Sequence, residues 1–366
     1  MLKYHRLKVL ELRPEASDAV CIALEVPDEL REAYRYAPGQ HVGLRAVVDG
    51  QELRRTYSIC SGTDEAPLRI GVRLHDRGAM SQHLARNVRV GDHLDVLTPT
   101  GRFFVKPDPA AARSYVAFAA GSGITPILGI LKNLLTHEPR SRFTLFYGNR
   151  NIASIMFAEE LLELKDRYRD RLAISFLLSR EPQDVELFNG RLDEQKVQQL
   201  AAGLFDAPAV DAYLLCGPGT MIESVTAALL KLGVEPARIH SERFASDARR
   251  SAPAAPGLVQ PDLAQSVPPE ASKTTQVTVV IDGRRRSFSM DKGAQTVLEA
   301  AEAAGLDLPY SCRAGVCSTC RTRVVRGAVT MTTNYALEPW ELEAGYVLCC
   351  QSLPTTSELE INYDER

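Results

Sequence analysis

Five of the eight cysteines of this chain lie near its C-terminal end. Three of them, Cys312, Cys317 and Cys320, follow the spacing C-x4-C-x2-C, and the pair Cys349-Cys350 comes later. Thiolates at this spacing can bind three corners of a [2Fe–2S] cluster, and a later cysteine supplies the fourth ligand. The motif therefore predicts a centre that transfers single electrons. Structural zinc is the alternative, but such sites favour paired C-x2-C motifs and this sequence has one.

Two short motifs in the N-terminal part are typical of flavin binding. Arg55-Thr56-Tyr57-Ser58 ends a predicted strand; its arginine can neutralise a pyrophosphate, its tyrosine ring can lie on the isoalloxazine, and its serine can bond the flavin ring. Gly78-Ala79-Met80-Ser81 opens a predicted helix, whose free backbone N–H groups can bind phosphate. A strand with alternating faces and a plain capped helix explain the same residues without a ligand.

Two further motifs follow apolar strands in the middle of the chain. Gly121-Ser122-Gly123-Ile124-Thr125-Pro126 comes directly after Tyr115–Ala120 and leads into a predicted helix near Ile127–Leu135. Its glycines let the backbone approach a pyrophosphate at a helix N-terminus. Cys216-Gly217-Pro218 ends another strand, at the sheet edge where such folds bind ligands. A tight strand–helix turn and a buried structural cysteine are the alternatives.

Length and local composition divide the chain into several domains. Its 366 residues, 45% hydrophobic and 24% charged, suit a globular protein with more than one core. The net charge of −3 argues against nucleic-acid binding, and there is no apolar run of membrane-spanning length. Residues 247–272 are rich in alanine and proline and are predicted to form a linker. The N-terminus lacks an apolar signal-peptide core and the clustered cysteines indicate metal ligands rather than disulfides, so we expect a cytoplasmic protein.

The order of the motifs before the linker resembles that of the ferredoxin–NADP reductase superfamily: R-x-Y-S, G-x-x-S, G-x-G-x-x-P and C-G-P. Glu242-Arg243-Phe244 is similar to the acidic-x-aromatic end of plant-type reductases. The resemblance implies that Ser58, Cys216 and Glu242 are catalytic. It also implies binding of FAD and a nicotinamide nucleotide by Arg55, Tyr57, Ser58, Gly78, Met80, Ser81, Gly121, Gly123, Thr125, Pro126, Ser179, Arg180, Cys216, Gly217, Pro218 and Phe244.

The part after the linker resembles plant-type ferredoxins over residues 274–362. Asp282-Gly283 joins two predicted strands as a hairpin, and Thr296–Gly305 is predicted to be a helix. The chain length between Cys320 and Cys350 matches that family, which implies that Cys312, Cys317, Cys320 and Cys350 are the ligands. Cys349 comes one residue early, on the other side of an extended strand.

The predicted fold is therefore multidomain. An antiparallel β-barrel flavin domain spans residues 1–107, and an α/β parallel-sheet nucleotide domain spans 108–246. After the linker, a C-terminal α+β ferredoxin domain of the β-grasp type spans 273–366.

The whole chain resembles the reductase subunits of phenylacetyl-CoA epoxidase complexes. Stretches that carry the resemblance are 33–41, 52–55, 147–151 and 309–317. The implied function is transfer of electrons from NAD(P)H through FAD and [2Fe–2S] to a di-iron oxygenase partner. Ser179-Arg180-Glu181 favours NADPH over NADH, since arginine suits a 2′-phosphate. The alternatives are the reductase of a steroid, alkane or aromatic-ring oxygenase, a redox-sensing module, and a stand-alone flavin reductase.

Overall fold

The computed structural model describes residues 3–244, 257–259 and 273–365. The chain forms two compact units, one over Lys3–Arg243 and one from Phe244 onward. Apart from 257–259, the predicted linker lies outside the described residues. Within the described ranges, every helix is too short or too polar to span a bilayer.

The first unit begins with an antiparallel sheet that closes into a barrel, as predicted. Its strands run in the order β4-β3-β6-β1-β2-β5. A bridge between Ile59, just after the fourth strand, and Ile70 of the fifth brings the two edges together. The bounds are β1 Tyr4–Ala16, β2 Ala19–Glu25, β3 His41–Val48, β4 Gln51–Ser58, β5 Leu68–Arg73 and β6 His93–Leu97.

Alternating apolar residues fill the barrel, and one helix completes its core. Leu7, Ile22 and Val42 face inward from three strands and are fully buried. Helix α1, Ala79–Arg86, adds Met80 and Leu84 to the same apolar cluster. This packing anchors the helix that begins at the predicted phosphate-binding motif.

The second half of this unit is the predicted parallel α/β fold. Its strands have the order β11-β10-β7-β8-β9 and pair in parallel. The strand bounds are β7 Ser114–Ala120, β8 Arg142–Asn149, β9 Leu172–Leu178, β10 Ala212–Cys216 and β11 Ile239–Glu242. The helix bounds are α2 Ile124–His137, α3 Ala158–Arg167, α4 Glu194–Ala201 and α5 Gly219–Lys231. Helix α2 is therefore longer than the predicted Ile127–Leu135.

Helix α2 connects the sheet to the barrel. A Cβ at Gly129 would lie 3.0 Å from the carbonyl oxygen of Ile59, so the glycine lets the helix approach the end of β4 closely. Lys132, which is buried, donates to Glu65 of the barrel side at 2.9 Å and also pairs with Glu160 of α3. Buried charges need such partners. These contacts hold the loop that follows β4 against the nucleotide-binding half.

The C-terminal unit has the predicted mixed β-grasp architecture. Its main sheet has the order β14-β13-β19-β15-β17, in which β13 and β19 are parallel and the other pairs are antiparallel. A smaller sheet has the order β12-β16-β18. The strand bounds are β12 Gly257–Val259, β13 Thr274–Ile281, β14 Arg284–Asp291, β15 Arg321–Arg326, β16 Val329–Met331, β17 Tyr346–Leu348, β18 Ser352–Pro354 and β19 Glu358–Asn362. The helices are α6 Val297–Ala303 and α7 Pro339–Glu343.

Local sequence signals explain the boundaries in this unit. Asp282 and Gly283 both have positive φ, 56° and 68°, as the predicted two-residue hairpin turn requires. The predicted helix over Thr296–Gly305 is confirmed with shorter bounds. Thr296 and Glu299 form a capping box at its start, and Gly305 has a positive φ of 77° just past its end.

Candidate functional site

The loop that carries the first three cysteines is held in an unusual backbone conformation. Arg313, Gly315 and Ser318 all have positive φ, at 53°, 71° and 48°. A Cβ on Gly315 would lie 2.8 Å from the carbonyl oxygen of Thr333, so only glycine fits there without a shift. Residues with positive φ turn the backbone so that its N–H groups line a concave loop. Such a loop suits an anionic cluster.

The four predicted ligand thiols gather around this loop. Cys312 lies within hydrogen-bonding reach of Cys317 and Cys350, and Cys350 also lies within reach of Cys320. These contacts, helped by the Ala314 N–H at 3.3 Å from the Cys312 sulfur, hold the pKa of Cys312 well below its usual value. The same thiol contacts, together with burial, raise the pKa of Cys317 and Cys350. The four sulfurs from distant parts of the chain therefore converge on one site.

Cys349 and Cys350 point in different directions, but not for the predicted reason. They lie in a short 3-10 helix, Cys349–Gln351, rather than on an extended strand. Successive side chains on a 3-10 helix diverge by about 120°. Cys350 turns toward Cys312 and Cys320, whereas Cys349 is fully buried beside Tyr363, and burial raises its pKa.

The environment of the thiols fits an iron–sulfur cluster. The Ser311 hydroxyl is buried beside the first ligand and has no hydrogen-bond partner within the described ranges, as expected of a group that donates to a cluster sulfur. Among residues 3–244 and 273–365, no three His, Cys, Asp or Glu side chains form a group suited to one metal ion. A two-iron cluster distributes its four thiolates over two metal atoms. All eight cysteines are free thiols.

In the barrel, the predicted flavin residues lie along β4. Arg55 has no carboxylate partner in the described part of the chain; its guanidinium donates to the Arg54 carbonyl at 2.7 Å. The neighbouring Arg54 is instead paired with Glu52 at 2.8 Å. Tyr57 is half-buried, and burial raises the pKa of its hydroxyl. Ser58 is buried at the end of the strand. An arginine without a carboxylate partner and a half-covered ring fit a bound flavin nucleotide.

The N-terminus of α1 fits the predicted phosphate-binding role. Gly78 precedes the helix, and no side chain caps it. The Ser81 hydroxyl donates to the Gly78 carbonyl at 2.9 Å and accepts from the His75 N–H at 3.2 Å. A Cβ on Gly78 would lie 2.5 Å from that hydroxyl, so the turn favours glycine. Met80 is buried in the barrel core rather than exposed at the helix start.

The two nucleotide-domain motifs meet at the carboxyl edge of the parallel sheet. A Cβ on Gly123 would lie 2.0 Å from the Cys216 carbonyl oxygen, so backbone packs directly on backbone. Gly121 has a positive φ of 56°. Gly217 is also closely packed, because a Cβ there would lie 2.9 Å from a Met221 methyl group. Thr125 donates to the Ser122 carbonyl at 2.9 Å.

Helices at this edge begin without side-chain caps. Neither α2, which starts beside Gly123 and includes Pro126, nor α5, which starts after Pro218, has a capping side chain. By contrast, Asp193 caps α4. Uncapped N–H groups and the positive helix end form an anion-binding site. The sheet edge therefore fits the phosphates of a dinucleotide.

Ser58, Cys216 and Glu242, the predicted catalytic residues, come together in the first unit. The Ser58 hydroxyl donates to Glu242 Oε2 at 3.4 Å, although the two residues are 184 positions apart. Glu242 is the strand neighbour of Cys216, which is fully buried. His41 Nδ1 lies 3.6 Å from Glu242 Oε1, and its buried Nε2 has no hydrogen-bond partner among the residues that the structure describes. Sequence reasoning did not identify His41. The strand register places His41 on β3 opposite Ser58 on β4, and that register is what links it to the site.

The predicted 2′-phosphate site follows β9 and is basic. Ser179 donates to the Asn149 carbonyl at 3.2 Å, and the backbone of Arg180 donates to the Arg150 carbonyl at 2.8 Å. Both arginines are exposed, and in the described ranges neither forms an ion pair. The Glu181 carboxylate accepts a hydrogen bond from the Ile152 N–H at 2.9 Å. Phe244, the remaining predicted nucleotide residue, begins the C-terminal unit.

Comparison with domain families gives three matches in the predicted order. Residues 7–105 match an oxidoreductase FAD-binding domain, 118–227 an oxidoreductase NAD-binding domain, and 279–355 a 2Fe-2S iron-sulfur cluster binding domain. These matches support FAD, a pyridine nucleotide and a [2Fe–2S] cluster as the cofactors.

Two relatives match over nearly the full length. The chain is 42% identical to a subunit of the 1,2-phenylacetyl-CoA epoxidase of Escherichia coli (strain K12), covering 100% of this chain and 99% of that protein. It is 35% identical to the ferredoxin reductase component of 3-ketosteroid-9-alpha-monooxygenase of Rhodococcus rhodochrous, covering 98% and 96%.

A solved structure has the same modular fold. Phthalate dioxygenase reductase aligns with a TM-score of 0.56 and 22% identity, covering 98% of each chain. The FAD/NAD-binding domain of a nitric oxide dioxygenase from Vibrio cholerae O1 biovar El Tor aligns with a TM-score of 0.57 and 28% identity, covering 66% of this chain and 99% of that one.

Proposed function

This chain belongs to the family that contains the 1,2-phenylacetyl-CoA epoxidase protein of Escherichia coli and the ferredoxin reductase components of 3-ketosteroid-9-alpha-monooxygenase, and we propose that it is the reductase component of a phenylacetyl-CoA epoxidase. It is an NAD(P)H-dependent oxidoreductase that passes electrons to a separate oxygenase component. The observation that carries the narrower proposal is the 42% identity to the epoxidase protein across all three cofactor domains.

Each proposed cofactor has a distinct part in the electron transfer. FAD accepts electrons in pairs and releases them singly, and the [2Fe–2S] cluster carries one at a time. We assign Arg55 and the backbone N–H groups at the N-terminus of α1, from Gly78 to Ser81, to the flavin phosphates; Met80 contributes only its backbone, because its side chain packs in the barrel core. Tyr57 covers the flavin ring.

The nucleotide-binding roles are assigned in the same way. Backbone N–H groups at the starts of α2 and α5 bind the pyrophosphate, since no side chain competes for them. The glycines, Thr125, Pro126 and Pro218 shape these two turns. Ser58, Cys216 and Glu242 surround the nicotinamide ring. Their convergence in one unit supports this role.

We propose that the four ligands of the cluster are Cys312, Cys317, Cys320 and Cys350, and that the domains follow the predicted bounds of 1–107, 108–246 and 273–366, with a linker over 247–272. Eight free thiols are consistent with a reducing compartment, so we propose a cytoplasmic protein.

NADPH is the proposed electron donor, and one arginine tests the choice. We expect Arg180→Ala to lower kcat/KM about tenfold with NADPH and to leave NADH nearly unchanged, because a charge-assisted contact to the 2′-phosphate is lost. Arg142→Ala is the control, since Arg142 is an exposed arginine at the amino end of β8, the opposite edge of the sheet. Steady-state kinetics with both nucleotides provide the measurement. A wild-type kcat/KM for NADH that equals that for NADPH would contradict the proposal.

The proposed partner is the di-iron oxygenase of a phenylacetyl-CoA epoxidase. In a reconstituted mixture, we expect NADPH oxidation to couple to oxygen consumption only when the oxygenase and phenylacetyl-CoA are both present. Omitting either is the control. Coupling to a 3-ketosteroid oxygenase but not to the epoxidase would reject the narrower assignment and retain the reductase function.

The same mixture distinguishes the other functions. A redox-sensing module predicts slow NADPH oxidation with every acceptor. A stand-alone flavin reductase predicts that a chain cut between Arg250 and Lys273 still drives the oxygenase. On our proposal, the cut chain reduces ferricyanide and loses the coupling, because electrons reach the oxygenase through the cluster.

A further inference from the structure

The residue after the fourth predicted ligand carries a buried amide directed at the ligand sulfur. Gln351 is only 8% exposed. Its Nε2 lies 3.4 Å from the Cys350 sulfur, 3.2 Å from the carbonyl oxygen of Arg313 and 2.8 Å from that of Cys350. One side chain therefore touches the fourth ligand and the backbone of the loop beside the first.

The orientation of this amide is determined by its neighbours. Three acceptors surround Nε2: two carbonyl oxygens and a sulfur. On the other side, Oε1 accepts the hydroxyl of Thr332 at 2.7 Å. Reversing the amide would place its oxygen against two carbonyl oxygens and leave buried groups unpaired, which is costly. The nitrogen, and not the oxygen, therefore faces the sulfur, and because the amide has two N–H bonds for three acceptors, the sulfur shares a donor with a carbonyl oxygen.

The position of the side chain is also set by packing. The Gln351 backbone carbonyl accepts the Thr332 N–H at 3.0 Å. A Cβ on Gly315 would lie 3.3 Å from Gln351 Cγ, so the ligand loop and this side chain are in close contact. The amide therefore links the ligand loop, the fourth ligand and the segment at Thr332.

We propose that Gln351 is a positioning residue that sets the reduction potential of the cluster through its N–H contact with Cys350. The inference rests on the proposed cluster ligation. Hydrogen bonds to a ligand sulfur withdraw charge from it, and so stabilise the reduced cluster, which is the more negative state. Gln351 thereby raises the potential and favours transfer of an electron from the flavin to the cluster.

The test uses the full-length holoprotein and measures potential rather than turnover. Gln351→Met keeps the length of the side chain and removes its N–H donors. We expect the midpoint potential of the cluster, titrated against its EPR signal, to shift to a more negative value while the flavin potential stays unchanged. Thr332→Val removes the hydroxyl that orients the amide and should cause a smaller shift in the same direction.

Gln276→Met is the matched control. Gln276 is an exposed glutamine of the same unit, and its side chain accepts a hydrogen bond from Ser289 at 2.7 Å. Its replacement should leave the cluster potential unchanged.

An unchanged or more positive potential in Gln351→Met with an intact cluster would overturn the proposal. If that variant does not retain the cluster, Thr332→Val decides, and an unchanged potential there overturns it. Absence of the cluster from the wild-type chain would instead reject the proposed function itself.

Discussion

Replacing Cys350 with alanine is expected to abolish the visible absorption and EPR signal of the [2Fe–2S] cluster, whereas Cys349→Ala retains both. Cys350 lies within hydrogen-bonding reach of Cys312 and Cys320, but Cys349 is buried against Tyr363. Alanine supplies no ligand atom, so the fourth coordination position cannot be filled. Iron and acid-labile sulfide analysis of the purified variants provides a second measurement.

The flavin part serves as the internal control for this variant. Cys350 lies in the C-terminal unit, while the predicted FAD residues of the barrel lie within Lys3–Arg243. We therefore expect Cys350→Ala to keep its FAD and to reduce ferricyanide at the wild-type rate. Loss of the cluster from Cys349→Ala combined with its retention in Cys350→Ala would reverse the ligand assignment.

Replacing Glu242 with glutamine is expected to slow reduction of the bound flavin by NADPH about 100-fold. The nicotinamide ring becomes cationic as it gives up hydride, and in the site we propose the Glu242 carboxylate supplies negative charge beside it. The Ser58 hydroxyl donates to that carboxylate at 3.4 Å and His41 Nδ1 lies 3.6 Å from it, so the two side chains help to position it. Glutamine preserves the size and removes the charge. Anaerobic stopped-flow absorbance of the flavin provides the rate.

Glu223→Gln is the matched control. Glu223 is an exposed carboxylate that pairs with Arg243, the residue next to Glu242, at 3.1 Å. Exposed ion pairs contribute little, so its loss should leave flavin reduction nearly unchanged. A wild-type rate in Glu242→Gln would remove Glu242 from the reaction and leave it a structural role.

The chemistry and the order of its motifs along the chain could be predicted from residue types and spacing. The C-x4-C-x2-C spacing, the R-x-Y-S motif and the G-x-G-x-x-P motif are local, since each depends on residue types within a short stretch of backbone. Local geometry is encoded in such stretches: Asp282-Gly283 forms its hairpin, and Thr296 caps its helix. The cofactor domains and their order could therefore be predicted from the sequence.

Which distant side chains meet depends on the packing of the folded chain. Ser58 and Glu242 belong to different sheets and are 184 positions apart, so no local pattern predicts their contact. His41 joins them because the strand register places it opposite Ser58. The separation of Cys349 from Cys350 arises from a 3-10 turn where a strand was expected. Gln351 reaches a sulfur because packing against Gly315 and Thr332 directs its amide. Such contacts depend on how complete domains pack, and a one-dimensional spacing does not contain that information.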